Sequence, residues 1–175
     1  MAIGLGANLG DPVSAVRRAA HALTAFVTTP RLSPLYRTSP VGGPPQPPFV
    51  NAVLAGRTEL APRELLGRLQ LLERAAGRRR GPHNGPRPLD LDLLLYADCS
   101  RAAPAPVLPH PRLASRLFVL VPLADVAPRR TVPGTGKTVA RLLSEVRVRS
   151  GDSVRLLRGA RRPSGTRTSA ATPRG

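Results

Sequence analysis

Apolar and polar positions change period several times along this chain, and each change marks an element. Residues 2–6 are apolar or glycine and read as a short buried strand, followed by a loop over residues 7–10. Asp11 then suits a helix N-cap, with Pro12 at the first helical position. Val13, Val16, Ala20, Leu23 and Val27 recur at helical spacing, which predicts a first helix reaching about Ala25. His21 lies off that stripe and reads as a surface residue. Residues 31–37 read as a second strand, interrupted by Pro34 and therefore at an edge or bulged there. From Thr38 to Pro48 stand five prolines and two glycines, which exclude helix and strand and predict a surface loop, a linker or a lid. Residues 49–57 read as a third strand. Pro62 opens a second helix with Leu65, Leu66, Leu69, Leu72 and Ala76 on its apolar face, and Gly77 stops it.

The next apolar run differs from the others. Residues 89–96 are leucine-rich, as a buried strand would be, yet Asp90 and Asp92 interrupt them. A strand sends residues i and i+2 to one face, about 6.5 Å apart along the chain. Both carboxylates would then share a face, with Leu89, Leu91 and Leu93 on the other. Acids placed in such a run without partners are costly. Beside them lies a loop broken by glycine and proline that carries Arg78, Arg79, Arg80 and Arg87. Carboxylates suit a hard divalent cation, and forked guanidinium donors suit phosphate oxygens that such a cation also holds.

Further on, Pro109 and Pro111 fix the backbone around His110, which makes this histidine a site candidate. Residues 113–126 predict a short helix or turn and then a strand-like piece with Phe118 and Val121. Gly134-Thr135-Gly136-Lys137-Thr138 resembles the end of a phosphate-binding loop, but Thr131 stands where that motif needs glycine, so a turn is expected. A last helix is expected over residues 139–146. Strands and helices interleave as an α+β chain, which suggests a ferredoxin-like sandwich, an antiparallel sheet with helices packed on it.

Composition adds bounds to this picture. The chain has 175 residues, 41% of them hydrophobic, enough for one domain with a real core. Net charge is +17, which points to polyanionic partners. That charge is uneven: residues 147–175 hold eight Arg and one Asp. Their Arg, Ser, Thr, Pro and Gly content predicts a basic disordered tail, dispensable for activity, behind a folded domain of residues 1–146. Cys99 is alone, so neither an intrachain disulfide nor a cysteine-based metal site can form. No signal-like segment and no run of roughly 18 apolar residues is present, so a soluble cytoplasmic protein without membrane contact is expected.

Together these motifs resemble one family, the 6-hydroxymethyl-7,8-dihydropterin pyrophosphokinases of folate biosynthesis. Gly85-Pro86-Arg87-Pro88-Leu89-Asp90-Leu91-Asp92 is close to that family's most specific motif. Gly4-Leu5-Gly6-Ala7-Asn8-Leu9-Gly10-Asp11 resembles its opening loop, and Leu35-Tyr36-Arg37-Thr38-Ser39-Pro40 the end of its second strand. Phe49-Val50-Asn51-Ala52, Gln70 with Glu73, Gly77-Arg78 with Arg80, Val107-Leu108-Pro109-His110-Pro111, and Arg116 with Phe118 follow in order. The resemblance implies a magnesium-dependent enzyme that moves pyrophosphate from ATP to a reduced pterin alcohol and releases AMP. By match, Asp90 and Asp92 would bind two magnesium ions, while Arg78 and Arg87 would grip the phosphates. Gln70, Glu73, Arg80, Asn84, Leu93, His110 and Arg116 would contact ATP. Thr38, Ser39, Val41 and Asn51 would line the pterin pocket, with Phe49 and Phe118 stacking on the ring.

The match has departures. His83 stands where many members have Arg, Asn84 where some have Trp, Pro111 where Tyr is common, and Ala7 in place of the usual Ser. The competing class is a basic nucleic-acid-binding protein. It would account for the charge and the tail, but not for the Asp-x-Asp strand or Asn51, and two Tyr and three Phe are few for base stacking. The expected partners are therefore small molecules, with nucleic acid met only through the tail, and the expected state is a monomer.

Overall fold

A computed structural model of the chain describes residues 1–79, 81–146 and 153–157. Its centre is an antiparallel sheet. The first strand, β1 (Ala2–Ala7), lies between β4 (Phe49–Arg57) and β5 (Asp90–Leu95). On the far side of β4, β2 (Thr28–Leu32) and β3 (Tyr36–Thr38) share one edge. They are the two halves of the expected second strand, parted at Pro34, whose missing N–H cannot extend the ladder. Ser33 bridges the break: its N–H donates to the Val53 carbonyl at 2.9 Å, and its hydroxyl accepts from Val53 N–H at 3.0 Å.

Helices cover both faces. On one face, α1 (Pro12–Leu23) and α2 (Pro62–Ala75) bury Val16, Leu23, Leu65 and Leu69 against Ile3, Leu5, Leu54, Leu91 and Leu93. Asp11 caps α1 as expected, accepting from Ser14 N–H at 3.1 Å. On the other face, α3 (Leu117–Val126) and α4 (Val139–Glu145) pack Leu120, Leu123, Val139 and Leu142 over Val53, Ala55 and Leu94. A short hairpin, β6 (Thr131–Val132) with β7 (Lys137–Thr138), joins these two helices at the turn expected there. The result is the ferredoxin-like α+β arrangement that the element order suggests, with its antiparallel sheet enclosed between helices.

Two expectations need correction. The strand-like piece around Phe118 and Val121 is helical, running from Leu117 to Val126 with Pro122 inside it. Its sequence is apolar at every position but Asp125, on the partly exposed side as well as the side packed on the sheet and α4, so no stripe of period 3.6 betrays the helix. The boundary at residue 146 also falls too early. Val154–Leu156 form a further strand, β8, antiparallel to β3. That strand lies within the stretch expected to be a disordered tail. Among the described residues, no helix is long and apolar enough to cross a membrane.

Candidate active site

The sheet register assembles the site. Gly6 of β1 pairs with Asn51 of β4 on one side and Asp90 of β5 on the other, while Gly4 pairs with Asp92. These positions share the face that α3 covers further along. Asp90 and Asp92 thus point to one side of β5, and Leu91 and Leu93 are buried on the other, as strand periodicity requires.

The two aspartates have different surroundings. Asp90 is held on both oxygens: Oδ1 accepts from Arg78, and Oδ2 lies 2.9 Å from Arg87. Arg78 also donates to Glu73 at the end of α2, and Glu73 in turn accepts from Leu91 N–H at 2.7 Å. That last bond ties α2 to β5 and sets the depth of the carboxylates. Burial pushes the Glu73 carboxyl above the usual range. Asp92 makes no close ion pair among the described residues; the His110 imidazole stands 3.9 Å from it. Burial, and then the neighbouring charge of Asp90, push its pKa up. His110 is set by its backbone, whose N–H donates to the Leu94 carbonyl at 2.9 Å. Its Nδ1 accepts from Arg112 N–H at 3.2 Å, which assigns the ring proton to Nε2, on the Asp92 side. Burial lowers its pKa, so the ring is neutral near pH 7.

Two concavities meet at these acids. A cleft of about 790 Å³ is lined by Gln70, six arginines (Arg74, Arg78, Arg79, Arg87, Arg112 and Arg116) and three carboxylates (Glu73, Asp90 and Asp92). The excess of guanidinium suits a polyanion. Beside it lies a narrow slot of about 50 Å³, lined by Ser39, Val41, Phe49, Asn51 and Phe118. Asn84, Arg87, Asp90 and Arg116 belong to both. The guanidinium of Arg87 lies 5.3 Å from the centre of the Phe49 ring, and that of Arg116 lies 5.2 Å from the Phe118 ring. Arg87 Nε is buried and donates to no group among the described residues, so the shared wall keeps a donor in reserve for an incoming acceptor. At the back of the slot, buried Asn51 donates to the buried Thr38 hydroxyl at 2.7 Å.

The family model described as 7,8-dihydro-6-hydroxymethylpterin-pyrophosphokinase (HPPK) matches residues 2–128. The chain belongs to the HPPK family. A protein of Synechocystis sp. named 2-amino-4-hydroxy-6-hydroxymethyldihydropteridine pyrophosphokinase is 41% identical over 146 residues, covering 82% of this chain and 74% of that protein. A Pseudomonas aeruginosa protein of the same name is 42% identical over 147 residues, covering 81% and 88%. One from Mycobacterium tuberculosis is 42% identical over 169 residues, covering 89% of this chain and 88% of its own, a span that has to run past Val146. These HPPK relatives give the nucleic-acid-binding alternative no support.

Most residues that the HPPK resemblance singles out converge here. Arg78, Arg87, Asp90, Asp92, Gln70, Glu73, Asn84 and Arg116 line the cleft, and His110 stands against Asp92. Ser39, Val41, Phe49, Asn51 and Phe118 line the slot, with Thr38 behind Asn51. Leu93 is the exception: its side chain is buried under the first two helices, on the opposite face of β5. Arg80 lies outside the described residues. Sequence reasoning missed two residues that tie the loops together. Asn8 donates to Gln46 at 3.0 Å and accepts from Arg87 N–H at 2.8 Å, and Gln46 donates to the Asn84 carbonyl at 2.7 Å. Their signal was a lone amide in each of two loops otherwise made of small, apolar or proline residues.

Gly6 leaves room for the Asn51 amide, since a Cβ there would lie 2.8 Å from Asn51 Oδ1. Gly6→Ala is therefore expected to displace the Asn51 amide and spare the backbone. Turnover with a pterin substrate should need about tenfold or more of that substrate, while the thermal midpoint moves by only a few degrees. Steady-state kinetics with a melting curve would check this, and unchanged kinetics would remove Asn51 from the site.

Proposed function

We propose that this HPPK-family chain transfers pyrophosphate from ATP to the hydroxymethyl group of 6-hydroxymethyl-7,8-dihydropterin, releasing AMP, as a cytoplasmic monomer in folate biosynthesis. The observation that carries the reading is the position of Asp90 and Asp92. They stand on one face of one strand, where an arginine-lined cleft meets an aromatic slot.

The cleft takes the triphosphate of ATP, and the slot takes the pterin. Phe49 and Phe118 offer ring faces for offset stacking, worth about 0.5–1.5 kcal/mol each beyond buried area. Asn51 both donates and accepts, which matches the amide-like edge of a pterin. The substrate hydroxymethyl group then lies toward Asp90 and the arginines. Its oxygen attacks the β-phosphorus and loses its proton to water, the bond from that phosphorus to the α,β-bridging oxygen breaks, and AMP carries that oxygen away. Such a transfer needs alignment and charge neutralisation rather than a covalent side chain. Arg78 and Arg87, which hold Asp90 in the structure, are the groups able to exchange its carboxylate for phosphate oxygens.

The acids fit magnesium. Among the described residues, no group of three His, Cys, Asp or Glu gathers to hold a metal. A pair of carboxylates without a closed protein cage is the donor set of an ion that keeps waters and substrate oxygens around it. Asp90 and Asp92 would hold magnesium, expected as two ions, which supplies neutralisation of the phosphate charge. The slot has to widen to admit a bicyclic ring, and the proline- and glycine-rich residues 40–48 form the wall able to move.

Incubating the protein with ATP, magnesium and 6-hydroxymethyl-7,8-dihydropterin should release AMP in step with a pterin diphosphate. Formation of ADP, or no nucleotide product, would contradict the proposal.

A further inference from the structure

We infer that β8 braces the pterin slot from behind, through β3, and that Ser153 is a positioning residue acting through Ser39. The inference rests on the pterin reading of the slot given above.

Without β8, β3 would be a three-residue edge strand with one side open. Short edges of this kind fray, because half their backbone groups face water. β8 closes that side, pairing Tyr36 with Leu156, Arg37 with Arg155 and Thr38 with Val154. The ladder runs past both ends of β3. Leu157 N–H donates to the Leu35 carbonyl at 2.9 Å, and Ser39 N–H donates to the Ser153 carbonyl at 3.2 Å. The hydroxyls of Ser39 and Ser153 then share a hydrogen bond of 2.7 Å. Ser39 is thus held by Ser153 through main chain and side chain at once.

The location gives this clamp its meaning. Thr38 carries the hydroxyl that orients Asn51. Ser39 lines the slot and is the last residue before the proline-rich wall. A second small cavity, of about 30 Å³, adjoins the slot and is lined by Ser153 and Val154 together with Ser39, Val41, Arg116 and Phe118. Those last four residues line the slot as well. The clamp therefore fixes the point from which the wall swings, and leaves the ATP cleft alone: neither Ser153 nor Val154 lines it.

The test uses the full chain. Ser153→Ala should raise the KM for the pterin about three- to tenfold, the range expected for one hydrogen bond, with kcat and the KM for ATP within twofold of the parent. Ser153→Thr keeps the hydroxyl and should restore the pterin KM. Asn51→Ala, assayed alongside, reports on the slot itself. If Asn51→Ala raises the pterin KM and Ser153→Ala changes nothing, the inference is overturned and the pterin reading stands. If Ser153→Ala lowers kcat and worsens both substrates alike, or Thr fails to restore the pterin KM, Ser153 only supports the fold and positioning is refuted. If Asn51→Ala leaves the pterin KM unchanged, the pterin reading falls and takes this inference with it.

Discussion

Replacing Asp92 by asparagine is expected to lower kcat by about a thousandfold, the order lost when charge stabilisation of a transferring phosphoryl group is removed, while the protein stays folded. The substitution is nearly isosteric, so packing is preserved, but a neutral amide is a poor magnesium ligand. Stability should move the other way. Burial and the adjacent Asp90 raise the Asp92 pKa above its unfolded value, so the ionised side chain works against folding at neutral pH. The variant should melt slightly higher than the parent at pH 7. The native parent takes up a proton before the unfolded chain does as pH falls through the raised pKa. The parent therefore gains stability there that the variant lacks, and the variant's advantage should shrink. Activity retained near the parent level would remove the metal role. A midpoint lowered by many degrees would mean that lost folding, rather than lost chemistry, explains any inactivity.

Arg87→Ala should be nearly as damaging, with kcat/KM for ATP reduced about a hundred- to a thousandfold. Among the described residues, Arg87 is the one side chain that pairs with Asp90, stacks on Phe49 and still holds a buried unsatisfied donor. Its backbone is fixed from both sides by Asn8, which accepts from its N–H at 2.8 Å and donates to its carbonyl at 3.1 Å. The guanidinium is thus set in place before ATP arrives, which is where preorganised charge is worth most. Arg87→Lys should recover little, because a point charge cannot pair and stack in one plane. Full recovery with lysine would reduce Arg87 to a general contribution of positive charge.

Much of this was legible in the sequence where local chemistry decides structure. The third strand begins and ends as expected because Pro48 and the polar residues after Gly56 bound a run that is apolar or glycine apart from Asn51. The carboxylate pair was readable because strand periodicity leaves two residues spaced by two no choice of face. Helix α3 was not legible, since a sequence apolar at every position but Asp125 lacks the period that distinguishes helix from strand. Strand β8 was hidden for another reason. Residues 154–156 have weak strand character of their own and pair only because β3 offers an open edge, a fact of tertiary structure. The Asn8–Gln46–Asn84 ties span 38 residues or more in sequence for each contact with Gln46, and no local pattern announces them. Leu93 sits on the core face by the same alternation that places Asp92 on the other, so the sequence already argued against a side-chain contact with ATP.

The central claim is that Asp90 and Asp92 together gather divalent cations around the triphosphate. Manganese in place of magnesium, with a non-hydrolysable ATP analogue, makes this visible by electron paramagnetic resonance. The parent protein should bind two manganese ions per chain in the presence of the analogue, and the double variant Asp90→Asn, Asp92→Asn should lose them. Equal manganese binding by both proteins would contradict the account.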